Sequence, residues 1–165
     1  MLVVLMTTVA VSAQESVAFR YGCISYDQAL KSMPDYAKVE ADLVALKSNY
    51  DKETKASEDE FNSKYAVFLN EYTNYAPSIL KKRQSELEDL MSRNEKFRME
   101  SIRLLEQARV DMMKPLKEKL DNLISTIANK YSLAFVLNTD SNAVPYMNMS
   151  MAYNITSAVE EALKE

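Results

Sequence analysis

Histidine and tryptophan are absent from this chain of 165 residues, glycine occurs once (Gly22) and cysteine once (Cys23). Each scarcity closes off a kind of chemistry. Without histidine there is no Ser-His-Asp relay, no Cys-His pair and no imidazole metal ligand. One glycine cannot build a phosphate-cradling loop, which needs several points of close backbone approach. A net charge of −4 argues against nucleic acid as the main partner, because phosphate binding wants a basic face. The 24 Asp and Glu residues guarantee some neighbouring carboxylates, but their setting reads as solvated helix face. The residues therefore point away from an enzyme: no catalytic residue, no cofactor and no metal site is expected.

The longest apolar run is "MLVVLMTTVAVSAQ" at the very start. It ends in Val11-Ser12-Ala13, a small-residue cleavage pattern, and is too short to span a bilayer. It predicts a signal peptide over 1–13, export, and cleavage after Ala13, although no basic residue precedes the run. Cys23 does not follow the signal directly, as a lipidated cysteine would, and reads as a buried strand residue.

Residues 17–24, "VAFRYGCI", read as a strand rich in β-branched and aromatic types. Ser25-Tyr26-Asp27-Gln28 has the S-x-x-Q spacing of a capping box and predicts a short helix. Pro34 fits the first turn of the next helix. From Asp35 to about Tyr75 there is neither glycine nor proline, and Val39, Leu43, Leu46, Tyr50, Phe61, Tyr65, Phe68, Tyr72 and Tyr75 recur in steps of mostly three and four. That is the stripe of an amphipathic or coiled-coil helix. The stripe fails over "DKETKASEDE" (51–60), which should be solvated and loosely held. Pro77 in "NYAPSIL" marks a reversal near 74–78. A second helix is predicted from about Ser78 to Lys130, kinked at Pro115, where the ring removes a ladder bond.

Charge separates between the two helical stretches. Residues 35–75 hold nine acidic and five basic residues, net −4, and residues 78–131 nine acidic and twelve basic, net +3. Antiparallel packing would set these signs side by side, each exposed pair contributing under about 1 kcal/mol. Helices of this length reach roughly 60 to 80 Å, so they must project from any compact body. Beyond them, Leu133 to Leu137 and Ala143 to Met147 read as two strands joined by the turn "NTDSN". Asn154 is placed to cap a closing helix, "ITSAVEEALKE", with Ile155, Ala158, Val159 and Leu163 on one face.

The order strand, short helix, two long helices, strand–turn–strand and helix resembles the Skp/OmpH-type family of periplasmic outer-membrane-protein chaperones. The likeness rests on "YGCISYDQALKSMP" (21–34), "YSLAFVLNTDSNAVPYMN" (131–148) and the closing helix, with "AFVLNTDSNAV" the most specific stretch. The resemblance implies a mainly α fold with a small β-body: a long antiparallel helical hairpin, or tentacle, on a trimeric, β-barrel-like association core. The corresponding division is 14–34 and 131–165 for the body and 35–130 for the tentacle.

It further implies an ATP-independent periplasmic holdase that encloses unfolded outer-membrane proteins between tentacles, with the homotrimer as its own partner. Candidate body-core residues are Phe19, Ile24, Leu133, Phe135, Val136, Leu137 and Val144. Candidate client-contacting residues are Phe61, Tyr65, Phe68, Tyr72, Leu87, Met91 and Phe97; Lys81, Lys82, Arg83, Arg93, Lys96 and Arg98 form a basic tentacle face. The best-known family members are strongly basic and this chain is acidic, which does not favour membrane-surface contact. An exported coiled-coil adaptor with one fixed partner is the competing reading.

Overall fold

A computed structural model of the chain describes residues 20–163; the expected signal peptide and Phe19 lie outside the described residues. The elements run β1 (Tyr21–Ile24), α1 (Tyr26–Lys31), α2 (Tyr36–Glu71), a 3-10 turn (Tyr72–Asn74) and α3 (Pro77–Lys130). Then follow β2 (Val136–Asn138), a second 3-10 turn (Asp140–Asn142), β3 (Ala152–Asn154) and α4 (Thr156–Ala162). The fold is mostly helical with one small sheet. No described helix is long and apolar enough to cross a membrane.

The two long helices follow from the glycine- and proline-free stretches on either side of Pro77. Pro77 is the first residue of α3, where its missing N–H leaves no bond unmade. At about 1.5 Å per residue, α2 extends some 54 Å and α3 about 81 Å. They lie antiparallel: Glu40 faces Arg109 at 3.6 Å, the Tyr50 ring meets Phe97 edge-on at 6.4 Å, and Asn94 Nδ2 donates to the Ser57 carbonyl at 2.9 Å. Helix α3 continues as one element through Pro115. Residues 51–60 are helical too and largely exposed.

The core gathers at one end. Helices α1 and α4 pack on α3, and Ile24, Leu30, Met33, Leu116, Leu120, Ile155 and Val159 share one buried cluster with Leu43 of α2. The closing helix buries the expected face, with Ile155, Val159 and Leu163 inside.

The sheet departs from expectation. Its order is β2–β1–β3, and both outer strands run parallel to β1, with Gly22 opposite Val136 and Tyr153. The predicted strand over Ala143–Met147 is a turn and loop, and the third strand is Ala152–Asn154. The first part of the predicted strand Leu133–Leu137 is irregular too, and β2 begins at Val136. Two strands joined by a five-residue turn can pair only antiparallel; here the chain needs a longer path, because β1 lies between them.

With its one glycine in β1, the chain puts other residues where the left-handed backbone is required. Helix α3 closes on Ser132 at φ 52°, with Leu133 N–H bonded to the Ala128 carbonyl at 2.9 Å and Ser132 N–H to that of Asn129 at 3.1 Å. This is the paired closure that glycine usually makes. Ser141 and Asn142 are also left-handed, at φ 54° and 59°. Gly22 itself is required for space: an added Cβ would lie 2.9 Å from Leu133 Cδ1 and 3.1 Å from Val136 Cγ2.

The "NTD" segment caps α1 across the sheet. The Tyr26 N–H donates to Asn138 Oδ1 at 3.4 Å, the Asp27 N–H to Asp140 Oδ2 at 2.7 Å, and the Gln28 N–H to Ser25 Oγ at 3.3 Å. The first three donors of the helix are thus satisfied. Only half of the predicted capping box forms, because the Gln28 amide reaches Glu160 at 2.7 Å instead. Pro34 stands in the turn before α2, whose N-cap is Asp35. Asn154 precedes the N-cap of α4, Ile155, and accepts from the Thr156 N–H at 3.0 Å.

Asp140 Oδ1 also accepts from Ser25 Oγ at 2.7 Å, and the Asp27 N–H bond is the main cause that holds its carboxyl below the ordinary carboxylate value. We expect Asp140→Ala to destabilise the fold by about 1–2 kcal/mol. Because the folded value is depressed, this contribution is complete above the unfolded value of about 3.9 and is lost as pH falls through the folded one. Urea midpoints of the wild type and the variant should therefore differ at pH 7 and converge below about pH 4. A constant difference across that range would refute the role assigned to the carboxylate.

Candidate functional site

Among the described residues no group of three or more histidine, cysteine or carboxylate side chains is gathered to hold a metal ion. The surface that remains to be explained is that of the two long helices. Their contact seam carries Leu90 and Ser101, both buried, with Ser101 Oγ bonded back to the Phe97 carbonyl at 2.8 Å. Beside them a cleft of about 360 Å³ is lined by Ser57, Phe61, Met91 and Asn94 among others.

The aromatic residues predicted from the stripe divide into two groups. Phe61, Phe68, Leu87 and Phe97 are half-buried along the seam, whereas Tyr65, Tyr72 and Met91 are exposed. Stacking joins Phe61 to Tyr65 at 5.8 Å, and Phe68 lies 6.4 Å from both Tyr72 and Tyr75. Much of that aromatic surface therefore packs on itself near the far end of the helices.

Met91, a predicted client-contacting residue, begins a second apolar row whose other members escaped the sequence reading. Met91, Met99, Ile102 and Val110 are 58, 57, 61 and 53% exposed. Their spacing of eight, three and eight residues sets them on one side of α3 over roughly 28 Å, with Met91 at one end bordering the cleft shared with α2. The signal was present as a helical period. It was overlooked because the stronger seam period of Leu90, Phe97, Leu104 and Ala108 runs through the same segment.

The basic residues are all exposed but not equally available. Lys82 and Arg83 both approach Glu86, at 3.8 and 2.7 Å, and the Arg83 hydrogen bond holds the Glu86 carboxyl below its usual range. Arg98 pairs with Glu95 at 3.3 Å. Arg93 lies near enough to Glu60 to help Lys64 lower that carboxyl. Lys81 and Lys96 make no ion pair among the described residues.

At the body, Ile24 is buried and Leu133, Val136, Leu137 and Val144 are half-buried. Phe135 is 43% exposed and stacks on Tyr21 at 5.7 Å. Val144 lies in the loop rather than on a strand. That loop and β3 expose Tyr146, Met149, Met151 and Tyr153, which sequence reasoning had not singled out. Both β2 and β3 have an outer edge with no strand beside it among the described residues.

The family model described as "Outer membrane protein (OmpH-like)" matches residues 20–163. No curated protein matches the chain. Among solved structures it resembles the crystal structure of a candidate outer membrane chaperone (OmpH-like) from Caulobacter crescentus CB15. The TM-score is 0.72 at 17% identity, over 94% of this chain and 90% of that one. At that identity the likeness is one of fold.

Proposed function

The chain belongs to the OmpH-like outer membrane protein family, and from that premise we propose that it is an ATP-independent holdase for unfolded outer-membrane β-barrel proteins. In this reading it works in the periplasm after loss of residues 1–13, as a homotrimer whose three helix pairs enclose the client. The single observation that carries the proposal is the apolar row of α3, Met91 to Val110, each member of which is more than half exposed among the described residues. A row of this kind on a long solvated helix offers apolar contact without a pocket, and methionine adapts to many sequences. Nothing in the mechanism asks for a nucleotide or a catalytic step: binding alone lowers the concentration of free, aggregation-prone chain.

The trimer is supported by the outer edges of β2 and β3, which have no strand beside them among the described residues, and by the exposed Tyr146, Met149 and Tyr153 around them. Open strand edges bordered by apolar side chains invite pairing with other chains, and closure among three copies would satisfy them. Dilution of a β-barrel protein from urea into buffer, followed by light scattering, tests the function. Suppression is expected at one trimer per client. An undiminished scattering signal at that ratio would overturn the proposal, and retention of one preferred partner from a mixed set of clients would favour the adaptor reading.

A further inference from the structure

Sulfur carries the readily oxidised groups of a chain that has neither tryptophan nor histidine, and its two forms are placed very differently. Cys23 is 3% exposed on the central strand. Burial pushes its thiol above the ordinary value, so it stays protonated and unreactive. A thioether has no proton to lose, so exposure sorts the methionines. Among the described residues Met33 and Met113 are buried, at 3 and 5%, and Met112 and Met147 are half-buried. Two pairs are exposed: Met149 and Met151 on the body, and Met91 and Met99 on α3.

The α3 pair makes up half of the apolar row assigned to the client. Oxidation would change that surface from apolar to polar. Peroxide transfers one oxygen atom to sulfur: the O–O bond breaks, a sulfur–oxygen bond forms, sulfur gives up two electrons and the peroxide leaves as water. A sulfoxide covered by an apolar client segment loses its hydrogen bonds to water without replacement, which costs free energy. Met91 also borders the cleft beside α2, where Asn62, Asn94 and Arg98 carry N–H donors. The subunit itself thus offers an oxidised Met91 the partners that an apolar client lacks.

We infer that Met91 and Met99 are modification sites for peroxide-class oxidants, and that their sulfoxides release the client from α3. This rests on the holdase reading and adds a regulator to the same surface. The change is reversible: in reduction by methionine sulfoxide reductases, two thiols supply two electrons and become a disulfide, and the oxygen leaves as water. Met149 and Met151 lie on the association surface of the body, so their oxidation is not what releases the client.

The purified full chain is treated with hydrogen peroxide, the excess is destroyed with catalase, and each protein is compared with itself before and after. The readout is light scattering of a β-barrel client diluted from urea. Peptide mass mapping should find oxygen on Met91 and Met99 well before Met33 and Met113. The amount of chain needed for half-suppression should rise by at least about tenfold, since two of the four apolar contacts are lost. It should return after treatment with the reductases and dithiothreitol. Met91→Leu/Met99→Leu removes both sulfurs at similar volume; whatever its starting protection, oxidant should change it by under about twofold. Met149→Leu/Met151→Leu should lose protection as the wild type does. Unchanged protection after oxidation of Met91 and Met99, or an equal loss in Met91→Leu/Met99→Leu, would overturn the inference. Absence of protection in the untreated wild type would sink the holdase reading, and the inference with it.

Discussion

Replacing Met91, Met99, Ile102 and Val110 together with glutamine is expected to abolish suppression of client aggregation while leaving the folded subunit intact. Each side chain is more than half exposed, so each should contribute about 1 kcal/mol when a client covers it, less than the roughly 1.5–3 kcal/mol of full burial. Four such contacts amount to about 4 kcal/mol, near a thousandfold in Kd. Glutamine keeps good helix propensity, and surface substitutions of this kind shift stability by only about 0.5 kcal/mol. The thermal midpoint should therefore stay within a few degrees, and the light-scattering assay should lose its protection. Phe61, Phe68, Leu87 and Phe97 behave differently in this account. They are half-buried along the seam, so truncating them should loosen the helix pair before it affects client contact. If the four-glutamine variant still protects a β-barrel client as well as the wild type, the outward row of α3 is not the docking surface.

The second large effect is on stability. Leu120 is fully buried in the cluster that α3 forms with α1 and α4. Leu120→Ala removes apolar contacts and leaves a cavity, a change that costs about 2–5 kcal/mol depending on how far the site collapses. For a domain of marginal stability, about 5–15 kcal/mol, that is a substantial share of the total. The body has few alternative contacts, because most of the chain lies in the two long helices rather than around the core. Urea unfolding followed by circular dichroism should show a midpoint well below that of the wild type, whereas Met99→Ala, on the exposed face, should change it by under about 0.5 kcal/mol. A loss below about 1 kcal/mol for Leu120→Ala would mean that this cluster does not hold the subunit together.

The positions that misled the sequence reading share a cause. Val144 and its neighbours alternate in a way that suits a strand, but the chain after Asp140 turns through Ser141 and Asn142 in the left-handed region. It then runs as a loop until Ala152. A strand of three residues carries too little pattern to be distinguished from such a loop. The S-x-x-Q box was read correctly at Ser25, whose hydroxyl does accept from Gln28. The other half failed because Glu160, 132 positions further along, offers the Gln28 amide a charged partner at 2.7 Å. No local rule could anticipate that competitor. The same holds for Asp140, which the sequence placed in a connecting turn and the fold uses to cap α1.

The sequence by itself determined the two long helices, their reversal at Pro77, the buried face of the closing helix and the burial of Cys23. Helical hydrogen bonds join residues four apart, so apolar period, proline position and scarcity of glycine are enough to decide them. Only the tertiary structure decided that β1 stands between β2 and β3 and that the "NTD" turn serves α1. It also decided that one row of α3 is left for solvent while another meets α2. Each of these depends on partners more than a hundred residues apart or on which side of a helix its neighbour occupies. Local pattern cannot encode such relations; packing of the whole chain selects them.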